Sequence, residues 1–376
     1  MRGKRAKRSD RSLAATLAVL ALALAVFVVA AAGSYVLIPR RGRGRVVRVT
    51  FPAQPTAESV TGALARAGVV DHAWAFGAIV RVTGAAEKVR TGTFAFRDDL
   101  APRAVLKALF AGGGLVRVTI PEGLTRFDVA RRMGEVGLCE PEEFLAVTEN
   151  PAVLARHGIH ARAAGDVAPT LEGYLYPDTY DIPLGETAEE IVERMLRVFE
   201  QRFRALKAAH PAQGLRAAEL AGSDGADAWI LTLASLVERE TGAPEDRRHV
   251  ASVFWNRLTR ADFSPRLLQS DPTVVYGCLA LARAQRGGTA CGDADAGARM
   301  NISAAMLQDA RNPWNTYRFE GLPPTPVCSP GAHAIEAALD PTEDADLYFV
   351  ARGDGRSVFA PTLAEHRRNV QTWLRR

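Results

Sequence analysis

Hydrophobic positions in the first half of the chain follow one pattern twice. The first copy begins at Val49 with "VTFPAQPTAESVTGALARAGVV", and the second begins at Val118 with "VTIPEGLTRFDVARRMGEVGL". In each copy a β-branched strand precedes a proline-marked turn and an amphipathic helix that ends at a glycine, Gly68 or Gly137. A second helix, a strand and a further helix follow in both. The pattern therefore predicts two strand–helix–helix–strand units, each with one more helix behind it.

Beyond residue 226 the pattern has mainly the period of a helix. Apolar residues spaced at i, i+3, i+4 and i+7 predict a helix from Trp229 to Thr241; they are Ile230, Leu233, Ala234 and Val237. Gly242 and Pro244 end this helix, and Pro244 suits the first position of the next one. The segment "DLYFVARGDGRSVFA" predicts a hairpin, which a final helix "TLAEHRRNVQTWL" follows.

The N-terminus has the pattern of a membrane anchor. Six basic residues lie among the first eleven, and the run from Ser12 to Ile38 carries no charge. A helix needs about 20 residues to cross a bilayer, whereas the apolar region of a cleaved signal peptide has about 7–15. We therefore expect a transmembrane helix at 12–38. Cleavage at the small residues Ala30–Ala32 is the alternative.

The distribution of charge argues against a nucleic-acid partner. The chain has a formal net charge of +5, but residues 1–48 contain eleven Lys and Arg and one acidic residue. That segment is therefore +10 and residues 49–376 are −5. The folded part carries no basic excess of the kind that binds nucleic acid.

Motifs that bind metals or cofactors are missing from the sequence. The HExxH, P-loop and CxxC patterns do not occur, so we expect neither a metal nor a cofactor. The serine-nucleophile motif GxSxG is also missing. Cys278 and Cys291 flank a Gly- and Arg-rich loop and would form a disulfide if the domain is exported, but the sequence leaves this open. Cys139 and Cys328 have the character of small buried residues.

Two glutamates near the end of the predicted helix point in different directions. At about 100° per residue, Glu240 lies about 60° from the centre of the apolar stripe and Glu238 about 100° from it on the other side. Burial disfavours the carboxylate anion, and so does the negative end of the helix dipole. Glu240 is therefore the candidate general acid. Pairing of Glu240 with Arg239, Arg247 or Arg248 at the helix surface is the alternative.

Five segments in order resemble one protein family. "LLQSDPTVVYG" and "NTYRFEGLPPTPVCSPG" concentrate amides, hydroxyls and rings that suit sugar binding, although such loops also pack on cores. With "LASLVERET", "RRHVASVFWNRL" and "LYFVARGDGRSVFAPTLAEHRRNV" they resemble the membrane-anchored endolytic murein transglycosylases of the MltG/YceG-like family. The resemblance extends from Val49 to Trp373.

The resemblance implies roles for particular residues. The second glutamate of the E-x-E-T segment, Glu240, would be the catalytic acid, in agreement with the helical-face argument. Further residues would bind substrate: Gln269, Asp271, Asn315, Tyr317, Tyr174 and Tyr176. Packing of Tyr174 and Tyr176 on the helix at 187–203 is the alternative for those two rings. The cysteine-containing loop from Cys278 to Arg299 departs from the family pattern, and so does Cys328 in "PVCSPG".

The resemblance also implies a fold and a place in the cell. We expect the α+β class, with a membrane helix, a LysM-like α/β subdomain and a mixed catalytic domain with a lysozyme-like helical core. The predicted divisions are a cytoplasmic tail at 1–11, the transmembrane helix at 12–38, a basic linker at 39–48, the LysM-like subdomain at 49–117 and the catalytic domain at 118–376. The catalytic domain would lie outside the cytoplasmic membrane, on the periplasmic side. Expected partners are that membrane and peptidoglycan glycan strands, with penicillin-binding proteins of the wall-synthesis machinery as candidates.

The implied reaction is cleavage of the β-1,4 bond between N-acetylmuramic acid and N-acetylglucosamine with formation of a 1,6-anhydro ring, which terminates or trims nascent strands. Two alternatives stay open. Asp271 could activate water and make the protein a lysozyme-like hydrolase. The chain could also be a non-catalytic anchored scaffold that binds glycan.

Overall fold

The computed structural model describes residues 35–38, 46–89, 91–110, 115–160, 164, 167–183, 186–222, 225–285, 291 and 301–374. The predicted transmembrane segment at 12–38 lies outside the described residues except for its last four. Among the helices that the structure describes, none combines the length and the apolar character needed to cross a bilayer.

The chain divides into two compact units. The first comprises Met1–Val116 with Asp181–Glu186, and the second comprises Arg117–Tyr180 with Thr187–Arg376. Small sheets and many helices place the protein in the predicted α+β class. The LysM-like and lysozyme-like identities and the predicted domain limits stay predictions.

The first unit has one antiparallel strand pair covered by helices. Its elements are β1 (Val46–Phe51), α1 (Ala57–Arg66), α2 (Ala73–Thr83), α3 (Ala85–Lys88), β2 (Gly92–Arg97) and α4 (Pro102–Phe110). Phe51 on β1 packs against Phe94 and Phe96 on β2, with ring centroids 5.1 and 6.4 Å apart. These rings, together with Leu64 and Phe76, form the buried core of the unit.

The second copy of the pattern has the same order of elements. It comprises β3 (Leu115–Thr119), α5 (Arg126–Glu135), α6 (Pro141–Thr148), α7 (Pro151–Arg156), β4 (Thr179–Pro183) and α8 (Ala188–Ala209). Strands β3 and β4 pair with each other.

Details of the two copies also correspond. Thr56 and Thr125 each form a capping box at the first helix, which begins one residue later. Gly68 and Gly137 follow those helices with φ of 70° and 73°, in the left-handed region that favours glycine. A threonine pair bridges each strand pair at 2.9 Å, Thr50–Thr93 in the first copy and Thr119–Thr179 in the second. The predicted repeat is confirmed, with one additional short helix in each copy.

The rest of the second unit is mainly helical. It comprises α9 (Pro211–Ala221), α10 (Ala226–Glu240), a 3₁₀ turn (Pro244–Asp246), α11 (Arg247–Thr259), α12 (Asp271–Arg283), α13 (Ala304–Gln308), α14 (Ala332–Leu339), β5 (Tyr348–Ala351), β6 (Ser357–Ala360) and α15 (Leu363–Trp373). Helix α10 contacts α9, α11, α12 and α14, and every residue from Ile230 to Val237 is buried.

The predicted helical boundaries and hairpin are confirmed with small differences. Helix α10 begins three residues before the predicted Trp229, and Pro244 begins a 3₁₀ turn that leads into α11. Strands β5 and β6 form the predicted hairpin, with Phe349 opposite Phe359. A disulfide joins Cys278 and Cys291, which the sequence had left open, while Cys139 and Cys328 are buried thiols outside this disulfide, as predicted.

Candidate active site

Glu240 is the last residue of the buried helix α10. Its neighbours Leu236 and Val237 are fully buried, and Thr241 turns into extended backbone with φ −139°. The Thr241 hydroxyl oxygen accepts the Ala243 N–H at 3.1 Å and thereby fixes the turn that ends the helix. The helix end thus leaves Glu240 half-buried at the edge of the core.

The carboxylate of Glu240 contacts Ser270, a residue that the sequence analysis did not select. The Ser270 hydroxyl donates to Oε1 of Glu240 at 2.5 Å. Ser270 is the N-cap residue of α12, but its side chain makes no capping hydrogen bond. A serine at an N-cap normally accepts a backbone N–H of the first turn. Its use as a donor to a carboxylate indicates that it serves Glu240 rather than the helix.

Backbone and hydroxyl contacts hold Ser270 in place. Its N–H donates to Oγ1 of Thr316 at 3.0 Å, and its carbonyl accepts the Thr273 hydroxyl at 2.6 Å. Thr273 and Thr316 are themselves 2.9 Å apart through their hydroxyl oxygens, and all three residues are buried. The Ser270 hydroxyl is therefore pre-positioned toward Oε1 of Glu240.

Burial raises the pKa of Glu240, and this is the largest influence on it. The hydrogen bond from Ser270 opposes the rise because it stabilises the anion. Asp271 adds to the rise by like-charge repulsion, whereas Arg257 and Arg239 lower the pKa. A carboxyl whose pKa is raised in this way keeps its proton near neutral pH more readily than an exposed glutamate, as general acid catalysis requires.

The arginines considered as partners of Glu240 make other contacts. Arg239 donates to the Gly123 carbonyl at 3.2 Å, and Arg248 pairs with Asp340 at 2.8 Å. The surface ion pair considered for Glu240 therefore has no support from these two residues.

Glu238 holds the backbone at the start of another helix. Its Oε2 accepts the N–H of Gly331 at 3.0 Å, directly before α14. Burial raises the pKa of Glu238 as well, and repulsion by Glu122 adds to the effect. The two glutamates of α10 therefore contact different elements, as the helical angle between them predicts.

Asp271 and Tyr317 lie on the exposed side of the same site. The Tyr317 hydroxyl donates to Oδ1 of Asp271 at 2.7 Å, and Glu240 and Asp271 repel each other electrostatically. Exposed Gln269 has φ of 55°, which is uncommon for a residue other than glycine. Such strained residues often occur at functional sites. All three residues are expected from the sequence to bind substrate, and their contact with substrate stays a prediction.

Asn315 was expected to bind substrate, and its contacts in the structure contradict this. It is fully buried, and its Nδ2 donates to the carbonyls of Met306, Leu307 and Asp309 at 3.0–3.1 Å. Its Oδ1 accepts the Tyr317 N–H at 3.0 Å. With both ends of the amide engaged, Asn315 positions Tyr317 and does not face a substrate.

Tyr174 and Tyr176 lie mainly inside the fold. Both are buried, and the Tyr174 ring packs edge-on against Phe199 of α8, with centroids 5.1 Å apart. The Tyr176 carbonyl accepts the Tyr180 hydroxyl at 2.6 Å. The contact with Phe199 is the packing considered as the alternative for Tyr174, and contact of either ring with substrate stays a prediction.

One group among the described residues has the geometry of metal ligands. Ligand atoms of His249, Asp344 and Asp346 lie within 4.8 Å of one another. Both oxygens of Asp344 already accept hydroxyl donors, from Ser252 at 3.1 Å and from Thr342 at 2.5 Å. We interpret the group as an ion-pair network that joins α11 to the segment before β5.

Ser270→Ala is expected to lower kcat about tenfold. A hydrogen bond to a charged group contributes about 1.5 kcal/mol, and the loss of this free energy at the transition state corresponds to that factor. Because the hydroxyl favours the anion of Glu240, its removal raises the pKa of that group. The fall of kcat/KM at high pH should therefore move to higher pH. Thr362→Ala removes a hydroxyl from another helix N-cap and serves as the control. A pH profile that stays in place in Ser270→Ala would refute a role in positioning Glu240.

Comparisons with known proteins identify a family and several similar chains. A family model described as the YceG-like family matches residues 49–372. An endolytic murein transglycosylase of Streptococcus pneumoniae is 28% identical over 351 residues, which cover 87% of this chain and 58% of that protein. An endolytic murein transglycosylase of Bacillus subtilis is 25% identical over 338 residues, covering 87% of this chain and 85% of the relative.

A solved structure of a YceG-like protein is also similar to this chain. The crystal structure of a YceG-like protein from Listeria monocytogenes has a TM-score of 0.52 and 25% identity to this chain, covering 87% of it and 99% of the solved chain. The present chain spans only 58% of the length of the streptococcal relative. Because the family model matches most of the sequence, the chain belongs to the YceG-like family.

Proposed function

We propose that the protein is a peptidoglycan lytic transglycosylase that cuts the β-1,4 bond between N-acetylmuramic acid and N-acetylglucosamine within glycan strands. The observation that carries this proposal is the Glu240 carboxyl at the end of a buried helix, with a raised pKa and Oε1 held by Ser270. The names of the two bacterial relatives agree with this substrate class.

In the first step Glu240 acts as a general acid. Its proton passes to the O4 leaving oxygen as the C1–O4 bond breaks and positive charge develops at C1 of the muramic acid. Burial of the helix end favours this step, because the protonated acid is neutral and the cost of a buried anion is avoided until the transfer.

In the second step the Glu240 carboxylate acts as a base. It accepts the proton of the muramic acid's own 6-hydroxyl, whose oxygen attacks C1 and closes the 1,6-anhydro ring. Glu240 is protonated again at the end, so the cycle consumes neither water nor a net proton. The hydrogen bond from Ser270 stabilises the carboxylate formed between the two steps.

Hydrolysis is the second candidate, and the position of Asp271 favours it. Asp271 is exposed and electrostatically coupled to Glu240. A second carboxylate near the acid could activate water, as in inverting glycosidases. The Tyr317 hydroxyl already occupies Oδ1 of Asp271, so that this oxygen is engaged within the protein, and we therefore rank this reaction second.

Mass spectrometry of the products distinguishes the reactions. Full-length protein in detergent is incubated with uncrosslinked glycan strands, beside the Asp271→Asn variant. Internal fragments that end in 1,6-anhydro-muramic acid are the expected products of both proteins. Reducing ends that disappear in Asp271→Asn would establish hydrolysis. Binding of glycan without any cleavage would favour the anchored scaffold.

The location follows from the substrate. Peptidoglycan lies outside the cytoplasmic membrane, and we propose that the run at 12–38 anchors the protein there as a single span with the catalytic part outside. Within this proposal the first unit is LysM-like, nascent strands are the natural substrate, and penicillin-binding proteins are candidate partners.

A further inference from the structure

Helix α2 of the first unit is apolar around its whole circumference. Its eleven residues, AWAFGAIVRVT, include one charged side chain, Arg81. The inner face is buried through Phe76, Gly77 and Val80. A helix that is apolar on all sides is normally covered on all sides. In the part of the chain that the structure describes, only the inner face of α2 is covered.

The outer face carries a row of apolar residues. Trp74, Ala78 and Val82 follow one another at i, i+4 and i+8 along the helix and are all exposed. Trp74 is 80% exposed and Val82 is 88% exposed. Two large apolar side chains on one helix face are an unusual feature of a surface in contact with water, and they indicate an apolar partner.

The end of the uncharged N-terminal run lies beside the start of α2. The Tyr35 hydroxyl donates to the carbonyl of His72, the N-cap residue of α2, at 3.3 Å. The two rings are also in contact, with centroids 5.7 Å apart. Leu37 and Ile38, the last residues of that run, are 58% and 61% exposed. The chain therefore leaves its predicted membrane segment next to Trp74.

The chemistry of the outer face suits the surface of a bilayer. Tryptophan is enriched where lipid tails meet headgroups, and arginine near the same level pairs with lipid phosphates. Exposed Arg81 lies next to Val82 on this face. A sugar would use the Trp74 ring but would gain nothing from Val82, Leu37 or Ile38, because aliphatic side chains do not bond to hydroxyls. Together these side chains favour a lipid partner over a glycan.

We infer that the outer face of α2, formed by Trp74, Ala78, Arg81 and Val82, lies in the interfacial layer of the membrane that holds the N-terminal anchor. The inference rests on the membrane anchoring in the proposed function and is independent of the reaction at Glu240. It gives the first unit a second attachment to the bilayer, so that this unit lies against the membrane surface instead of moving freely on its linker.

Tryptophan fluorescence in vesicles tests this contact. The full chain is reconstituted in vesicles of phosphatidylcholine and phosphatidylglycerol, with bromine on the upper part of the acyl chains as quencher. The chain has five tryptophans, and none lies in residues 1–48. Trp255 and Trp314 are each 2% exposed, and Trp229 and Trp373 are half-buried, so that Trp74, which is 80% exposed, has the most surface for contact with lipid. Trp74→Phe is compared with Trp373→Phe, which removes a half-buried tryptophan elsewhere.

Bromolipid should quench the wild type and Trp373→Phe equally, and Trp74→Phe should lose most of that quenching. Equal quenching of all three proteins, with Trp74 accessible to aqueous iodide, would overturn the inference. So would a change in Trp74 emission on adding glycan strands without vesicles, which would assign the face to sugar. Co-sedimentation with the vesicles reports anchoring, and glycan cleavage in the same samples reports catalysis, so failure of the contact is distinguishable from failure of the proposed function.

Discussion

Replacing Glu240 by Gln is expected to lower kcat for glycan cleavage by about 10³-fold, within the range for loss of a general acid and base. Gln has the same shape and keeps an oxygen that can accept the Ser270 hydroxyl, so the fold and substrate binding should persist. KM should therefore change little while kcat falls. Steady-state kinetics with purified glycan strands measure both values.

Glu238→Gln is the matched control for this substitution, because it makes the same chemical change on the same helix. Glu238 accepts the Gly331 N–H, and the carbonyl oxygen of Gln can accept it as well. We expect activity within a few-fold of wild type. If Glu238→Gln lost as much activity as Glu240→Gln, or if Glu240→Gln stayed active, the assignment of Glu240 as the acid would be wrong.

The features of this site that the sequence predicts are set by residues close to one another in the chain. The direction of Glu240 follows from the helical period over Ile230–Val237, and the break after it follows from Gly242 and Pro244. These signals lie within about two helical turns of one another, so they need no knowledge of tertiary packing. The same holds for the repeated strand–helix order and for the hairpin of β5 and β6, whose turn residues and alternation are adjacent in the chain.

Local sequence patterns of this kind do not predict contacts between residues that lie far apart in the chain. Ser270 is thirty residues from Glu240 in the chain, and as an N-cap serine it has an ordinary local explanation. Asn315 shows the opposite error: its amide suits a sugar hydroxyl equally well, but three backbone carbonyls occupy it. Tyr174 was predicted either to stack on sugar or to pack on α8, and its contact with Phe199 of α8 is visible only in the fold. Polar type alone does not distinguish a ligand-binding group from one that holds a loop.

The Pro-rich loop that follows Asn315 packs closely against Gly173. We therefore expect Gly173→Ala to lower the free energy of unfolding by about 3 kcal/mol. Gly173 has φ of 88°, and an added Cβ would lie 2.5 Å from Cβ and 2.6 Å from Cγ of Pro326. Pro326 cannot easily move away, because Val327 N–H donates to the Ser235 hydroxyl oxygen of α10 at 3.1 Å. Chemical denaturation followed by circular dichroism measures the loss.

Gly158→Ala separates the two causes of that loss. Gly158 also has positive φ, 61°, but an added Cβ there would meet no atom within 4 Å. Its substitution should therefore cost only the backbone strain, about 1 kcal/mol. Equal losses in the two variants would mean that the loop yields to the added methyl group. The loop that contains Pro326 also carries the Thr316 hydroxyl, which accepts the Ser270 N–H. If Gly173→Ala loses more stability than Gly158→Ala and also has a reduced kcat while it is still folded, the contact of Gly173 with Pro326 maintains the loop beside Glu240.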